Sequence, residues 1–170
     1  CNADLGIAVD PDVDRLVFVC EDGELFGEEN TLVACADYVL SKTPGSTVSN
    51  LSSSRALNDI TKKHNQVHYY SAVGEVNVVD KMKKCKAVIG GEGNGGVIYP
   101  KSHYGRDSIV GIGLFLSLYV ERGLIASKLL ETYPKYFMVK EKINLSPSLD
   151  VDNILGQIAE KYKNENIDLV

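Results

Sequence analysis

Three carboxylates spaced two residues apart, Asp10, Asp12 and Asp14, are followed directly by a guanidinium in the run Asp10-Pro11-Asp12-Val13-Asp14-Arg15. Alternate carboxylates on a tight loop bring their oxygens to one point, which is how a hard divalent cation is held. The guanidinium behind them is a planar fork that fits two oxygens of one phosphate. A cation and a guanidinium side by side are the equipment of phosphoryl transfer. Three rivals stand beside this reading. Asp10, Asp12, Asp14 and Glu21 fall on positions 1, 3, 5 and 12 of an EF-hand, but position 6 is Arg15 where glycine is needed, and the flanks are β-rich rather than helical. The acids could form a solvated turn, although three close like charges repel unless something cationic sits among them. Arg15 could be no more than their counter-charge.

The second constellation is Gly90-Gly91-Glu92-Gly93-Asn94-Gly95-Gly96. It satisfies the G-x-G-x-x-G dinucleotide pattern literally, yet that motif must open a helix, and here Val97-Ile98-Tyr99-Pro100 follows. The better reading is a loop whose glycines let backbone approach a ligand, with Glu92 and Asn94 offering hydrogen bonds to vicinal sugar hydroxyls. A purely structural turn is its rival. His103 reads as a surface imidazole, Asp107 as a helix cap, and Lys81, Lys83 and Lys84 as a solvated helix face. His64, on an exposed helix end, and His68, on the next strand, carry no signal.

These residues must be positioned by an alternation of short elements. Apolar runs at 3–9 and 16–20 read as strands, the first of them buried, with the acidic loop between them and a turn at Glu21-Asp22-Gly23-Glu24. Helical periodicity follows over 30–40, and Ser41 to Ser46 is the clearest linker. Strands are expected at 47–51, 67–70, 87–89 and 97–99. The glycine loop lies between the last two. Helices are expected from the Ser52-Ser53-Ser54 cap to Lys63, over 75–84, over 107–121 behind Asp107, and in a short piece from Ile125 to Tyr133. A strand over 137–143 and a helix over 151–163 come last. Such alternation indicates an α/β unit. The end segments, lacking partners for their apolar faces, are expected to be incomplete neighbours.

Hydrophobic residues make up 44 % and charged residues 24 % of the 170-residue chain, ordinary for a globular protein. A formal net charge of −5 argues against a nucleic-acid partner or an anionic membrane. No apolar run reaches the ~18 residues of a membrane span. Cys1, Cys20, Cys35 and Cys85 form no C-x-x-C pair, and Cys20, Cys35 and Cys85 sit in apolar or helical contexts as reduced thiols do, so a cytoplasmic location is expected.

In combination, the acidic loop, the Val73-Gly74-Glu75 turn and the Gly91-Glu92-Gly93-Asn94-Gly95-Gly96 loop resemble, in order and rough spacing, the α-D-phosphohexomutases: phosphoglucomutases, phosphomannomutases and phosphoglucosamine mutases. The resemblance implies a mixed-sheet α/β/α domain with incomplete neighbours: residues 1–42 as the end of a second domain, 43–136 as the third, and 137–170 as the start of a fourth. It implies Mg²⁺ on Asp10, Asp12 and Asp14, with Arg15 beside the reacting phosphate. Gly74 and Glu75 would form a turn that tells substrate orientation apart, and Glu92 and Asn94 the sugar contacts. Asn94 and Gly96 depart from the family's usual G-E-x-S-G-H, where serine and histidine stand. Arg106-Asp107 is similar to the family's R-D-G/A segment.

The implied activity is reversible transfer of phosphate between the 1 and 6 positions of a hexose phosphate. It would run through an enzyme phosphoserine outside this chain, with a hexose 1,6-bisphosphate as activator and intermediate. The remaining domains of the same polypeptide would be the partners, and this piece alone would be inactive. A non-catalytic Ca²⁺-binding or sugar-phosphate-binding module is the alternative.

Overall fold

The structure, a computed structural model, describes residues 2–139, 141–146 and 149–165. They fall into two units, Cys1–Tyr136 and Phe137–Val170.

In the first unit β1 (Leu5–Val9) and β2 (Leu16–Cys20) form an antiparallel ribbon, with Leu5 opposite Cys20 and Val9 opposite Leu16. The acidic loop is its connection. Only one strand of the ribbon is buried. Leu16, Phe18 and Cys20 alternate inward along β2, whereas Ile7 and Val9 are 46 % and 44 % exposed. The expectation of a buried first strand is therefore corrected: among the described residues β1 pairs with β2 alone, and while Leu5 packs against the core, Ile7 to Val9 stay exposed.

A four-stranded sheet follows in the order β4-β3-β5-β6. Strands β3 (Thr47–Asn50), β4 (His68–Ser71) and β5 (Ile89–Glu92) are parallel, and β6 (Gly96–Ile98) returns antiparallel to β5. Helices α1 (Glu28–Lys42) and α2 (Ala56–Lys63) lie on one face and α3 (Glu75–Cys85) on the other, which gives the mixed-sheet α/β/α sandwich. Two apolar clusters result. Val48, Val78, Met82, Ala87 and Ile98 lie under α3. The larger cluster joins Leu32, Val33 and Ala36 of α1 to Leu57, Ile89, Val97 and Phe115. Residues 1–42 and 43–136 thus share one core, and α1 takes in Ser41 and Lys42 of the expected linker.

The glycine run departs from its expected form. Gly90 and Gly91 lie within β5 rather than in a loop. A Cβ on Gly90 would meet the Met82 sulfur of α3 at 2.6 Å, and one on Gly91 would meet the Gly96 backbone and, at 3.1 Å, Leu32 of α1. These glycines make the strand thin enough for helices to close on both faces. Only Gly93, Asn94 and Gly95 form the turn.

Helix α4 (Ser108–Arg122) packs on α1 and is followed by α5 (Ala126–Glu131). Its Phe115 stacks on Phe18 at 3.7 Å between ring centres and meets Phe26 edge-on at 5.0 Å. As expected, Asp107 caps it: the carboxylate accepts a hydrogen bond from the Val110 N–H at 3.0 Å. The serine cap of α2 is only partly as read. Ser54 Oγ accepts from the Ala56 N–H at 3.1 Å, while Ser52 and Ser53 donate to Asn50 Oδ1.

In the second unit α6 (Val151–Tyr162) is capped by Asp150, and none of its residues is buried. No strand forms over 137–139 or 141–143. Phe137 is wholly exposed, and Val139 and Ile143 are 78 % and 79 % exposed, so these apolar side chains have no packed face of the kind that stabilises a strand. Lys140 lies outside the described residues.

Candidate active site

The acidic loop is organised by its own backbone. Asp10 O accepts from Val13 N–H at 3.0 Å, and Val13 takes a φ of 59°, which turns the chain back on itself. Asp10 Oδ1 then accepts from the N–H groups of Asp14 and Arg15 at 3.1 and 3.0 Å. Its Oδ2 receives Arg15 Nε at 2.6 Å. The Arg15 backbone N–H, followed by its side chain, holds the Asp10 carboxyl far below the usual carboxylate range, against the opposing effect of desolvation. One oxygen from each of Asp10, Asp12 and Asp14 lies within 4.8 Å of the others. The loop is a convergent cluster, as read from its spacing. Its positive φ falls at Val13 and its flanks are strands, so the EF-hand geometry is absent.

Arg15 lies on the carboxylates rather than facing outward, with Asp14 Oδ1 at 3.5 Å as well. In this state it is the loop's counter-charge. Asp14 Oδ1 is buried and makes no hydrogen bond, with only the Arg15 ion-pair contact at 3.5 Å beside it. Burial drives its carboxyl upward, opposed by the Arg106 charge and helped by the neighbouring carboxylates. The donor set is all oxygen, one of its atoms buried without a hydrogen-bond partner, and therefore fits a hard divalent cation. To serve fully, Asp10 would have to exchange the Arg15 guanidinium for the ion.

The glycine hairpin meets this loop directly. Leu16 N–H donates to Gly95 O at 3.2 Å, joining the start of β2 to the β5–β6 turn. Gly95 has a φ of 89°, and a Cβ there would strike the Leu16 backbone. From below, Ser108 at the first turn of α4 donates both its N–H, at 3.2 Å, and its hydroxyl to Val13 O. A cavity of about 330 Å³ opens between Asp10, Arg15, Asn94 and Glu28.

Glu92 does not project into this cavity. It is 5 % exposed and turned inward, where it accepts from Asn50 Nδ2 at 2.7 Å, Gly74 N–H at 3.3 Å and Arg106 Nη1 at 2.9 Å. Asn94 lines the cavity, but its Oδ1 accepts from Gly96 N–H at 3.1 Å. Gly74 is the N-cap of α3, and Glu75 spends its carboxylate on Arg106: Oε1 accepts from the backbone N–H at 3.0 Å, and Oε2 forms an ion pair with Nε at 3.4 Å without a hydrogen bond. Arg106 also pairs with Asp14. One side chain thus joins the acidic loop, the Gly74-Glu75 turn and the glycine hairpin.

Arg106, Asn50 and Glu28 were not among the sequence candidates. Arg106 had a signal, since it stands in a segment singled out by resemblance and is one of only four arginines. Asn50 and Glu28 had none. His103 donates or accepts at Asp107 Oδ2, 2.8 Å away, and braces the α4 cap. His64 and His68 are half-buried, contrary to the exposure expected for His64. His64 meets Asp37 at 2.7 Å, and His68 lies between Thr47 and Ser49 at 2.7 and 3.1 Å. Cys20 and Cys35 are buried, and burial pushes their thiols up to about 11 and about 12, so both stay protonated. Among the described residues no helix is long and apolar enough to cross a membrane.

Comparison with known proteins adds a third line. Residues 28–136 match the profile of the phosphoglucomutase/phosphomannomutase alpha/beta/alpha domain III. The chain is 30 % identical over 169 residues to a phosphoglucosamine/phosphogalactosamine mutase of Sulfurisphaera tokodaii, covering 98 % of this chain and 37 % of that protein. It is 33 % identical over 160 residues to a phosphoglucomutase/phosphomannomutase of Thermococcus kodakarensis, covering 94 % and 35 %. The crystal structure of a phosphoglucomutase/phosphomannomutase family protein from Burkholderia thailandensis superposes with a TM-score of 0.69 at 27 % identity, over 79 % of this chain and 30 % of that one. The chain therefore spans little more than a third of the length of these curated relatives.

Proposed function

This chain belongs to the α-D-phosphohexomutase superfamily, and on that premise we propose that it carries the metal and sugar loops of an enzyme that moves phosphate reversibly between the 1 and 6 positions of a hexose phosphate. The observation that carries the proposal is the junction of the acidic loop and the glycine hairpin at Leu16 and Gly95, beside a cavity that Asp10, Arg15, Leu16 and Asn94 line. The phosphoryl group and the sugar oxygen that gains or loses it must be aligned for in-line transfer, and two loops bonded backbone to backbone would hold the two at fixed separation.

In this reading Asp10, Asp12 and Asp14 hold Mg²⁺. When bound, the ion neutralises charge on the phosphoryl group in flight. Arg15, released from Asp10, turns its fork to the oxygens of that group. Glu92, locked by Asn50 and Arg106, keeps the hairpin rigid, and Asn94 meets a sugar hydroxyl from the cavity wall. Gly74 and Glu75 set the side of the site against which either end of the sugar rests. The phosphoserine that gives and retakes the phosphoryl group comes from another part of the polypeptide, with a hexose 1,6-bisphosphate as primer and intermediate.

The test is ³¹P NMR of the complete polypeptide with Mg²⁺ and glucose 1,6-bisphosphate, given glucose, mannose and glucosamine 1-phosphates separately. A 6-phosphate signal that vanishes with chelator and returns with Mg²⁺ is the expected result, and relative rates identify the hexose. No 6-phosphate from any of the three sugars, with the primer present, would overturn the proposal.

A further inference from the structure

We infer that Arg106 is a positioning residue that holds the metal loop, the Gly74-Glu75 turn and the glycine hairpin in one frame, and that Gly96 is glycine because the Arg106 stem passes over it. This rests on the mutase reading for its kinetic consequences, but not for its binding ones.

Arg106 pairs with Asp14, Glu75 and Glu92, which come from three separate segments of the chain. A guanidinium can do this because it offers five donors in a rigid plane, whereas an ammonium is a single point. Its surroundings leave it little freedom. The backbone N–H of the same residue is held by Glu75 Oε1, and Ile98 bridges Arg106 across the sheet edge. A Cβ on Gly96 would overlap Arg106 Cδ and press on Cγ at 3.1 Å. Any larger residue at 96 would push the guanidinium off Glu92 or Asp14. The glycine that departs from the family's common sugar loop and the arginine ten residues later are thus one device.

The link to Asp14 has a second consequence. Arg106 and a divalent cation draw on the same carboxylate, so binding of the ion must be offset against part of that ion pair. Arg106 then retains Glu75 and Glu92, and the hairpin keeps its place while Asp14 turns to the ion.

The test uses the complete polypeptide with R106A, R106K, G96A and the double variant R106A/G96A. Two readouts are taken: Mn²⁺ affinity by electron paramagnetic resonance, and kcat and KM with hexose 1-phosphate. Removing one positive charge beside a dication site should tighten Mn²⁺ about tenfold in R106A. Loss of loop placement should lower kcat/KM about 100-fold. R106K keeps the charge and should restore the Mn²⁺ affinity, yet regain little of kcat/KM because it cannot bridge three carboxylates. G96A alone should lower kcat/KM, and R106A/G96A should be little worse than R106A, since the Arg106 Cδ and Cγ that the new methyl strikes are gone and only the 3.2 Å approach to Asn94 Oδ1 remains. Weaker Mn²⁺ binding in R106A, or multiplied losses in the double variant, would overturn the inference. Should the wild type turn over no hexose phosphate while R106A still tightens Mn²⁺, the mutase reading fails and the Arg106–Asp14 competition stands.

Discussion

Replacing Gly95 by alanine should separate the two loops of the site, and its cost can be worked from the geometry. At a φ of 89° an L-residue is strained by about 1–3 kcal/mol. The new Cβ points at the Leu16 carbonyl and amide, which are backbone and cannot rotate aside. Relief requires the turn to lift, which sacrifices the Leu16 N–H bond to Gly95 O, worth about 1 kcal/mol net. Together these come to about 2–4 kcal/mol. Unfolding entropy of ~2.1 cal/mol/K per residue over Cys1–Tyr136 gives ~0.29 kcal/mol/K, so the melting temperature should fall by about 7–14 °C. Gly113→Ala is the matched control. It lies exposed in α4 with nothing near its would-be Cβ, so helix propensity should raise stability by about 0.5–1 kcal/mol. Calorimetry measures both shifts, and hydrogen exchange at the Leu16 amide reports the junction itself. A Gly95→Ala variant that melts within 2 °C of the wild type with Leu16 still protected would refute the argument that this contact couples the loops.

Two further outcomes concern charges away from the site. Asp37 is 3 % exposed and receives Arg122 at 2.8 Å, His64 at 2.7 Å and the Tyr133 hydroxyl at 3.3 Å, tying α1 to α2, α4 and the end of α5. Asp37→Ala should cost about 3 kcal/mol, the low end for breaking a buried pair because Arg122 is partly exposed, and a fall in melting temperature of less than 3 °C would count against it. His68 is held by burial, and secondarily by the Lys62 charge, at about 4 rather than 6.5. The unfolded chain therefore takes up a proton near pH 6.5 that the folded one refuses until about 4, so stability is whole above pH 6.5 and declines as pH falls toward 4, by up to about 3 kcal/mol. His68→Gln, which keeps hydrogen-bonding groups without titrating, should flatten that decline in urea denaturation at stepped pH; an unchanged slope would assign it to other groups.

What could be read along the chain was whatever depends on neighbours a few residues away. The acidic loop between two strands, the Asp107 cap of α4 and the turn at 21–24 follow from spacing and local hydrogen-bonding chemistry, and each has the expected local form. The places where the reading slipped are those where a residue's setting depends on what packs against it. The first strand has the composition of a buried one, but nothing in Leu5–Val9 encodes whether a second layer covers it. The glycines at 90 and 91 look like a loop, but they pair with β3 and β6, and Met82 of α3 and the backbone of Val48 and Gly96 leave no room there for a Cβ. On a glycine-rich loop Glu92 reads as a group projected toward sugar hydroxyls; its inward rotation depends on Asn50 and Arg106, 42 and 14 residues away.

The sequence by itself determined which groups are present: three alternate carboxylates, a guanidinium directly behind them, and small residues where backbone must come close. The tertiary structure alone decided how those groups are shared out. Asp14, Glu75, Glu92 and Arg106 acquire their relation only when the sheet and α3 bring their segments together. An ion-pair network across such separations depends on distance in space, which no local spacing encodes.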